Sequence, residues 1–400
     1  MRKRIPILRG LAILGVVSYH AAAWGHTAMF FWAHRFRQVE SPNFDQFRSL
    51  TYYVLLAIER LAWFSVPAFL FVAGFSMAYS AAGDRVATSW KTVRARISHI
   101  LWPYLIWSLV VFLGDASFLK ITYSPVEYLR RLATGGAVGL YYFVPLLLQF
   151  YVMSPLITRA AKKKPVVVLV CAGGIQATMH YLIHFSGTRL GSVAYPWGFF
   201  HWAFFFPLGV VCFLHYKSVT NVLARLKWPL LVSAAILVCF SGMEVVAEFS
   251  RRFAFDDAHH VLSFSTSLYS LSFILAFLAF DKIKVPFSHF LQGLGVRSYG
   301  VYLLHFSVQT VVAKLVYHFA PWLFRYQMLY VPLLLLTGLG LPLLLMKVIA
   351  RSGLRRYYWH LFGGAPPLPM TRKPLKKDVT VSQTSSPQEA SRLGTAPTRD

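Results

Sequence analysis

The sequence predicts an all-α polytopic membrane protein with about ten transmembrane helices and both termini in the cytoplasm. Three observations carry that reading. First, charged residues make up only 14% of the 400-residue chain and hydrophobic residues 56%, whereas soluble globular domains carry about 25% charge. That is too little charge to coat a water-facing surface, which excludes a soluble enzyme, a disordered chain and a coiled coil. Second, apolar runs recur at about 20 residues, the length a helix needs to cross a ~30 Å hydrocarbon core. Third, the basic residues behind a net charge of +26 sit between those runs and favour alternate loops, as the positive-inside rule requires. The same charge on a soluble protein would suggest nucleic acid; placed between spans it reports topology, and no nucleic-acid partner is expected.

The ten expected spans are 5–24, 51–80, 98–116, 138–158, 165–185, 198–216, 228–248, 261–280, 294–316 and 328–349. The first is not expected to be a cleaved signal peptide, because Arg9 interrupts its apolar stretch and no small-residue cleavage site follows before the bulky Trp24. The second is long enough to be tilted or broken. With both termini inside, segments 1–9, 81–97, 159–164, 216–228, 281–297 and 347–400 hold 28 of the 40 Lys+Arg. The short loop RAAKKK at 159–164 is the clearest of them. Residues 1–362 read as the transmembrane domain. Residues 363–400, rich in Pro, Ser, Thr and charge, read as a disordered cytoplasmic tail. Cys171, Cys212 and Cys239 lie inside apolar segments and act as small hydrophobes. No loop is long enough for a soluble catalytic domain, so any chemistry belongs inside the bundle or at its mouths.

The strongest polar feature is Arg9 and His20 in ILRGLAILGVVSYH. Eleven residues at 100° each make three turns plus about 20°, so both side chains fall on one stripe, roughly 16 Å apart along the axis. A guanidinium is permanently charged and bidentate, which suits an anion such as phosphate. An imidazole with a pKa near 6.5 suits a general base. The plainer reading is that Arg9 snorkels to the headgroups and His20 hydrogen-bonds a neighbouring helix. Both readings stand at this point.

An Arg, ten intervening residues and a His on the first helix resemble the integral-membrane acyltransferase-3 family. Four further stretches are similar to that family: VPAFLFVAGFSMA (66–78), RISHILWPYLIWS (96–108), YYFVPLLLQFYVMSPLI (141–157) and SYGVYLLH (298–305). The second is like the family's basic loop leading into its third helix, and the third is like the aromatic span of the polysaccharide-modifying branch. There are departures. Ala73-Gly74-Phe75 replaces the usual Ser-Gly-Phe, and Arg96-Ile-Ser-His99 stands where an Arg-x-x-Arg pair is common, with Lys91 and Arg94 as another basic pair. The fused extracytoplasmic hydrolase-like domain of many relatives is absent from these residues.

The resemblance implies a role for each candidate. His20 and Arg9 become catalytic, His20 deprotonating a hydroxyl or carrying the acyl group. Arg94, Arg96, Lys91 and His99 become the cradle for the phosphates of a cytoplasmic acyl-CoA, most simply acetyl-CoA. Taken singly, each of those bases is also ordinary positive-inside charge. Arg60 and Glu59, an intramembrane charge pair, become acceptor or oxyanion contacts, unless they lie at the interface. His305, Tyr302, Gln149 and Tyr142 become walls of an acceptor cavity, though each reads at least as well as a helix-to-helix hydrogen bond. His180 and His184 are four apart with no third ligand in view, and His201, His215, His259 and His260 show no ligand spacing, so no metal is expected. Asp256 and Asp257 read as loop charges.

The function so implied is O-acyl transfer from acyl-CoA to a hydroxyl of a cell-surface glycan or glycolipid at the cytoplasmic (inner) membrane. The expected partners are that acceptor and membrane lipids, together with either a separate extracytoplasmic protein or a second copy of the chain. The alternative of a different class is a multi-span transporter or flippase for a lipid-linked or polar solute. The absence of two matching halves with broken helices counts against it.

Overall fold

The computed structural model describes residues 2–32, 43–80, 88–186, 196–252 and 263–366. The loop acids Asp256 and Asp257, with His259 and His260, lie outside those residues, as does the tail from 367 on. Among the described residues there is no β-strand. The helices are α1 (Ile5–Thr27), α2 (Leu50–Ala62), α3 (Ser65–Ser80), α4 (Trp90–Gly114), α5 (Pro125–Thr134), α6 (Phe143–Lys163) and α7 (Pro165–Ser186). They continue with α8 (Phe205–Leu214), α9 (Tyr216–Arg252), α10 (Phe264–Ala279), α11 (Ser288–Val296), α12 (Ser298–Phe319), α13 (Gln327–Arg351) and α14 (Tyr358–Phe362).

Eight helical stretches among the described residues are long and apolar enough to cross a membrane. The protein is therefore an all-α polytopic membrane protein. All ten expected segments are helical, but two are short, α8 and α10. Three boundaries differ from expectation for local reasons. The 51–80 run is broken between α2 and α3: Pro67 cannot donate to the carbonyl of Trp63, and the Ser65 hydroxyl caps the Ala62 carbonyl instead at 2.6 Å. The basic segment before residue 98 is no loop. Ser89 caps α4 by accepting from the Thr92 amide at 3.3 Å, so Lys91, Arg94 and Arg96 stand on the first two turns of a helix. Likewise 216–228 is helical, and α9 runs for 37 residues, about 55 Å at 1.5 Å per residue.

The first helix lies at the centre of the bundle, against α2, α3, α11, α12 and α13. Buried residues occur all round it, including Leu8, Ala12, Ile13, Val17 and Ala21, as expected of a helix with no solvent face. Its approach to α11 is backbone to backbone. A Cβ on Gly10 would stand 1.9 Å from the Leu291 carbonyl oxygen, and one on Gly295 would stand 2.5 Å from that of Pro6. Small residues that let two helices touch in this way are a common device of membrane bundles. The buried Gln309 amide then joins three helices, donating to the Val17 carbonyl at 3.1 Å and to that of Leu334 at 3.3 Å.

Candidate active site

Arg9 and His20 both face α12. Arg9 Nε donates to the buried Ser298 hydroxyl at 2.7 Å. The glycine contacts of α11 bring the first turn of α12 to that place. Two turns further along α12, the His20 ring lies 5.4 Å from the ring of His305 and 5.2 Å from that of Phe306. One helix thus meets both ends of the stripe. Along α1 between them, Ile13 and Val16 are buried.

At the Arg9 end the charges converge. Arg96 and Tyr151 lie within electrostatic range of Arg9, and Arg96 Nη2 donates to the Ser80 hydroxyl at 2.8 Å. Two guanidiniums from α1 and α4 near one phenol, each also held by a serine, make a fixed positive site suited to an oxyanion with several acceptor atoms. Lys91 and Arg94 are exposed. With Trp90, Ala95 and Ser98 they line a groove of about 470 Å³ on the first turns of the same helix. His99 stands apart from them. Its Nδ1 bonds the Gly363 carbonyl at 2.9 Å and its Nε2 accepts from the Trp359 indole at 3.4 Å. Both ring nitrogens hold α14, leaving neither for a phosphate.

At the His20 end, His305 is fully buried. Its Nδ1 contacts the carbonyls of Tyr302 at 2.9 Å and Val301 at 3.1 Å. Carbonyl oxygens only accept, so in the neutral ring Nδ1 carries the proton and Nε2 has the free lone pair. That Nε2 has no hydrogen-bond partner in the protein. The other side of His20 is aromatic: Tyr19 lies edge-on at 5.2 Å and stacks on Trp63 at 5.4 Å.

Glu59 and Arg60 are buried within the bundle. The carboxylate pairs chiefly with His26, Nδ1 to Oε1 at 2.8 Å, while Arg60 Nη2 stands 4.0 Å from the other oxygen. The Arg60 guanidinium also lies 5.1 Å from the Trp63 ring centre. A charged cluster therefore braces the aromatic wall beside His20. His26 went unremarked from sequence because it falls beyond the expected end of the first span. The signal that would have found it is the need of a buried carboxylate for a partner.

The remaining candidates divide. Tyr302 donates its hydroxyl to the Leu140 carbonyl at 2.6 Å, and Tyr141 returns the tie to that of Leu303 at 2.7 Å. Gln149 donates to the carbonyls of Trp197 at 2.7 Å and Pro145 at 3.1 Å and accepts from the Phe199 amide at 3.3 Å. These two hold the helices around the site. Tyr142 instead lines an open pocket and lies within electrostatic range of Tyr19. No group of three or more His, Cys, Asp or Glu gathers at ligand spacing among the described residues.

Fold and site together define a polytopic membrane protein whose polar chemistry is gathered along the α1–α12 seam. Residues 2–347 match a family described as an acyltransferase domain. The chain belongs to that family and is a membrane acyltransferase. It is similar to the Bacillus subtilis (strain 168) protein named "Putative membrane-bound acyltransferase YfiQ", with 27% identity over 270 residues, covering 62% of this chain and 69% of that one. No solved structure matches the chain with significance.

Proposed function

We propose that this enzyme transfers an acyl group, most simply acetyl, from acyl-CoA at the cytoplasmic mouth to a hydroxyl of a glycan or glycolipid in the inner membrane of the cell. The observation that carries the reading is the pairing of His20 with His305 on the same α1–α12 seam that holds Arg9. Arg9 and Arg96 bind the donor's phosphates, with Arg94 and Lys91 drawing the nucleotide to the mouth. His20 takes the proton of the acceptor hydroxyl as its oxygen attacks the thioester carbonyl. The C–O bond forms, the C–S bond breaks, and the proton passes from His20 to the departing thiolate, leaving free CoA. His305, whose Nε2 has no hydrogen-bond partner in the protein and whose ring lies 5.4 Å from that of His20, orients the His20 ring or shares its proton. Arg60 acts through Trp63 and Tyr19, placing the aromatic wall rather than touching the oxyanion. Positioned acid–base catalysis of this kind contributes about 10²–10⁴-fold.

The test is mass spectrometry of surface glycans from cells with the protein, cells without it, and cells carrying His20→Ala. Ester substitution that appears only with the unaltered protein supports the reading. Equal ester content in all three removes the glycan acceptor.

A further inference from the structure

The connection from α4 to α6 folds back against the bundle: Tyr104 of α4 donates to the Leu132 carbonyl at 2.6 Å, and Tyr141 donates to that of Leu303 in α12 at 2.7 Å. There Arg130, Arg131, Gly135, Tyr142, Pro196 and Trp197 line a pocket of about 230 Å³. Ligand sites for drug-sized molecules run to about 300–1,000 Å³, so this one takes a single ring-sized group. Its chemistry is mixed. Trp197 and Tyr142 contribute aromatic rings, and Gly135 and Gly136 line it at a turn where Gly135 has φ +80°.

The pocket also carries charge in a fixed pattern. Ser124 caps α5, accepting from the Glu127 amide at 3.3 Å, and Glu127 then grips both arginines. Arg130 is bidentate at 2.6 and 2.7 Å, and Arg131 Nε donates at 2.8 Å. Arg131 is further held by the Gly136 carbonyl at 3.1 Å and by the Tyr123 ring at 4.1 Å. Both arginines line the pocket, and Glu127 grips them from outside its lining. Arg130 keeps 57% of its side chain exposed where it lines the pocket.

Resting on the acyl-transfer reading above, we infer that this pocket is the acceptor subsite and that it selects an acidic saccharide unit, one bearing a carboxylate or phosphate. The sugar ring lies on Trp197 or Tyr142 and its anionic group meets Arg130. Tyr142 connects the subsite to the chemistry, because it is within electrostatic range of Tyr19, the neighbour of His20. The adjoining turn Gly139–Tyr142 is tied to α12 through the Tyr141 and Tyr302 bonds. A lipid headgroup is the other source of an anion at this place, but it has no use for stacked aromatic faces.

The experiment measures binding of a glucuronic-acid trisaccharide and of a neutral glucose trisaccharide to the full chain in phosphatidylcholine nanodiscs. The acidic ligand is expected to bind at least fivefold more tightly. Arg130→Glu, a change at an exposed position, removes that preference, and Trp197→Phe retains binding while Trp197→Ala weakens both ligands. Equal binding of the two ligands, or a preference that survives Arg130→Glu, overturns the subsite. So does loss of trisaccharide binding when phosphatidylglycerol replaces part of the lipid, which assigns the charge to headgroups. The His20→Ala variant separates this proposal from the one it rests on. It is expected to bind the acidic trisaccharide normally and to fail in acyl transfer; transfer that depends on His20 without acidic preference leaves the enzyme reading intact and refutes the subsite alone.

Discussion

Gly10→Ala tests how the site is held together. Its Cβ would stand 1.9 Å from the Leu291 carbonyl oxygen. Ordinary contact begins at 3.4 Å, so α11 must retreat by about 1.5 Å, since the clashing atom is backbone and cannot swing aside. The N-terminus of α12 follows α11 after a single residue. A matching shift opens the Arg9–Ser298 bond from 2.7 Å to about 4.2 Å, outside hydrogen-bond range. Overpacking of this kind costs about 1–3 kcal/mol, and loss of a hydrogen bond to a charged group about 1.5–3 kcal/mol. The sum, about 2.5–6 kcal/mol, is a large share of the stability of any fold. Thermal unfolding of the purified chain in detergent micelles measures it, alongside the apparent affinity for the acyl donor. Both are expected to fall together, because one displacement causes both. Gly340→Ala is the control, at an α13 position where an added Cβ meets nothing within 4 Å; it should be neutral or stabilising by up to ~1 kcal/mol. A Gly10→Ala protein as stable and as tight for donor as the unaltered one refutes the account of how α11 presents Ser298 to Arg9.

Four further expectations follow from the same geometry. His20→Ala lowers kcat by about 10²–10⁴-fold while insertion and thermal unfolding stay unchanged, read by single-turnover acyl transfer. Arg96→Ala raises the donor KM by about 10–100-fold, the equivalent of a charged hydrogen bond, and leaves kcat close to its original value, as loss of uniform binding requires. Glu59→Leu removes the carboxylate that both His26 and Arg60 contact; breaking a buried ion pair from one side costs about 3–5 kcal/mol, visible as a lowered unfolding temperature. Glu127, outside the spans, is held down to about 2 by its hydrogen bonds from Arg130, with Arg131 adding to it. A depressed carboxylate contributes above its unfolded value of 4.5 and is lost as pH falls through about 2. The charge pattern of the α5 pocket should thus be constant from pH 5 to 8, and acceptor affinity measured over that range should show no protein titration from this residue.

The spans were legible because each is a long apolar run, and length against bilayer thickness is a strong constraint. What escaped was helix without an apolar run. The turns carrying Lys91, Arg94 and Arg96 read as a loop because they are polar, yet the Ser89 cap starts a helix there. The first part of α9 escaped for the same reason. Within the site, the Arg9–His20 stripe was readable, since an unbroken helix fixes the angle between two of its residues. Pairings between helices were not. Nothing local marks His26 as the partner of Glu59, or Ser298 as the partner of Arg9, because those contacts depend on how α2 and α12 pack against α1. Glycine spacing hints at such packing without saying which helix arrives. His99 shows the converse: a residue in a basic segment reads as part of a phosphate cradle until α14 is seen to occupy both its nitrogens.

The roughly 16 Å between Arg9 and His20 carries a consequence for the reaction. A donor whose phosphates rest on Arg9 and Arg96 must send its thioester along the α1–α12 seam to reach His20, past Ile13 and Val16, which are packed. On the proposed reading, a flexible pantetheine arm would be the part of acyl-CoA suited to that path, and the apolar side chains along it would keep water from the thioester until a hydroxyl arrived. The two charged mouths then have separate duties. On the proposed reading, the arginines of α1 and α4 would hold a polyanion that does not cross, and the α5 pocket would present a hydroxyl that does not cross either. Only the acyl group needs to move between the two sides, and it is neutral, which is the form of cargo a bilayer core opposes least.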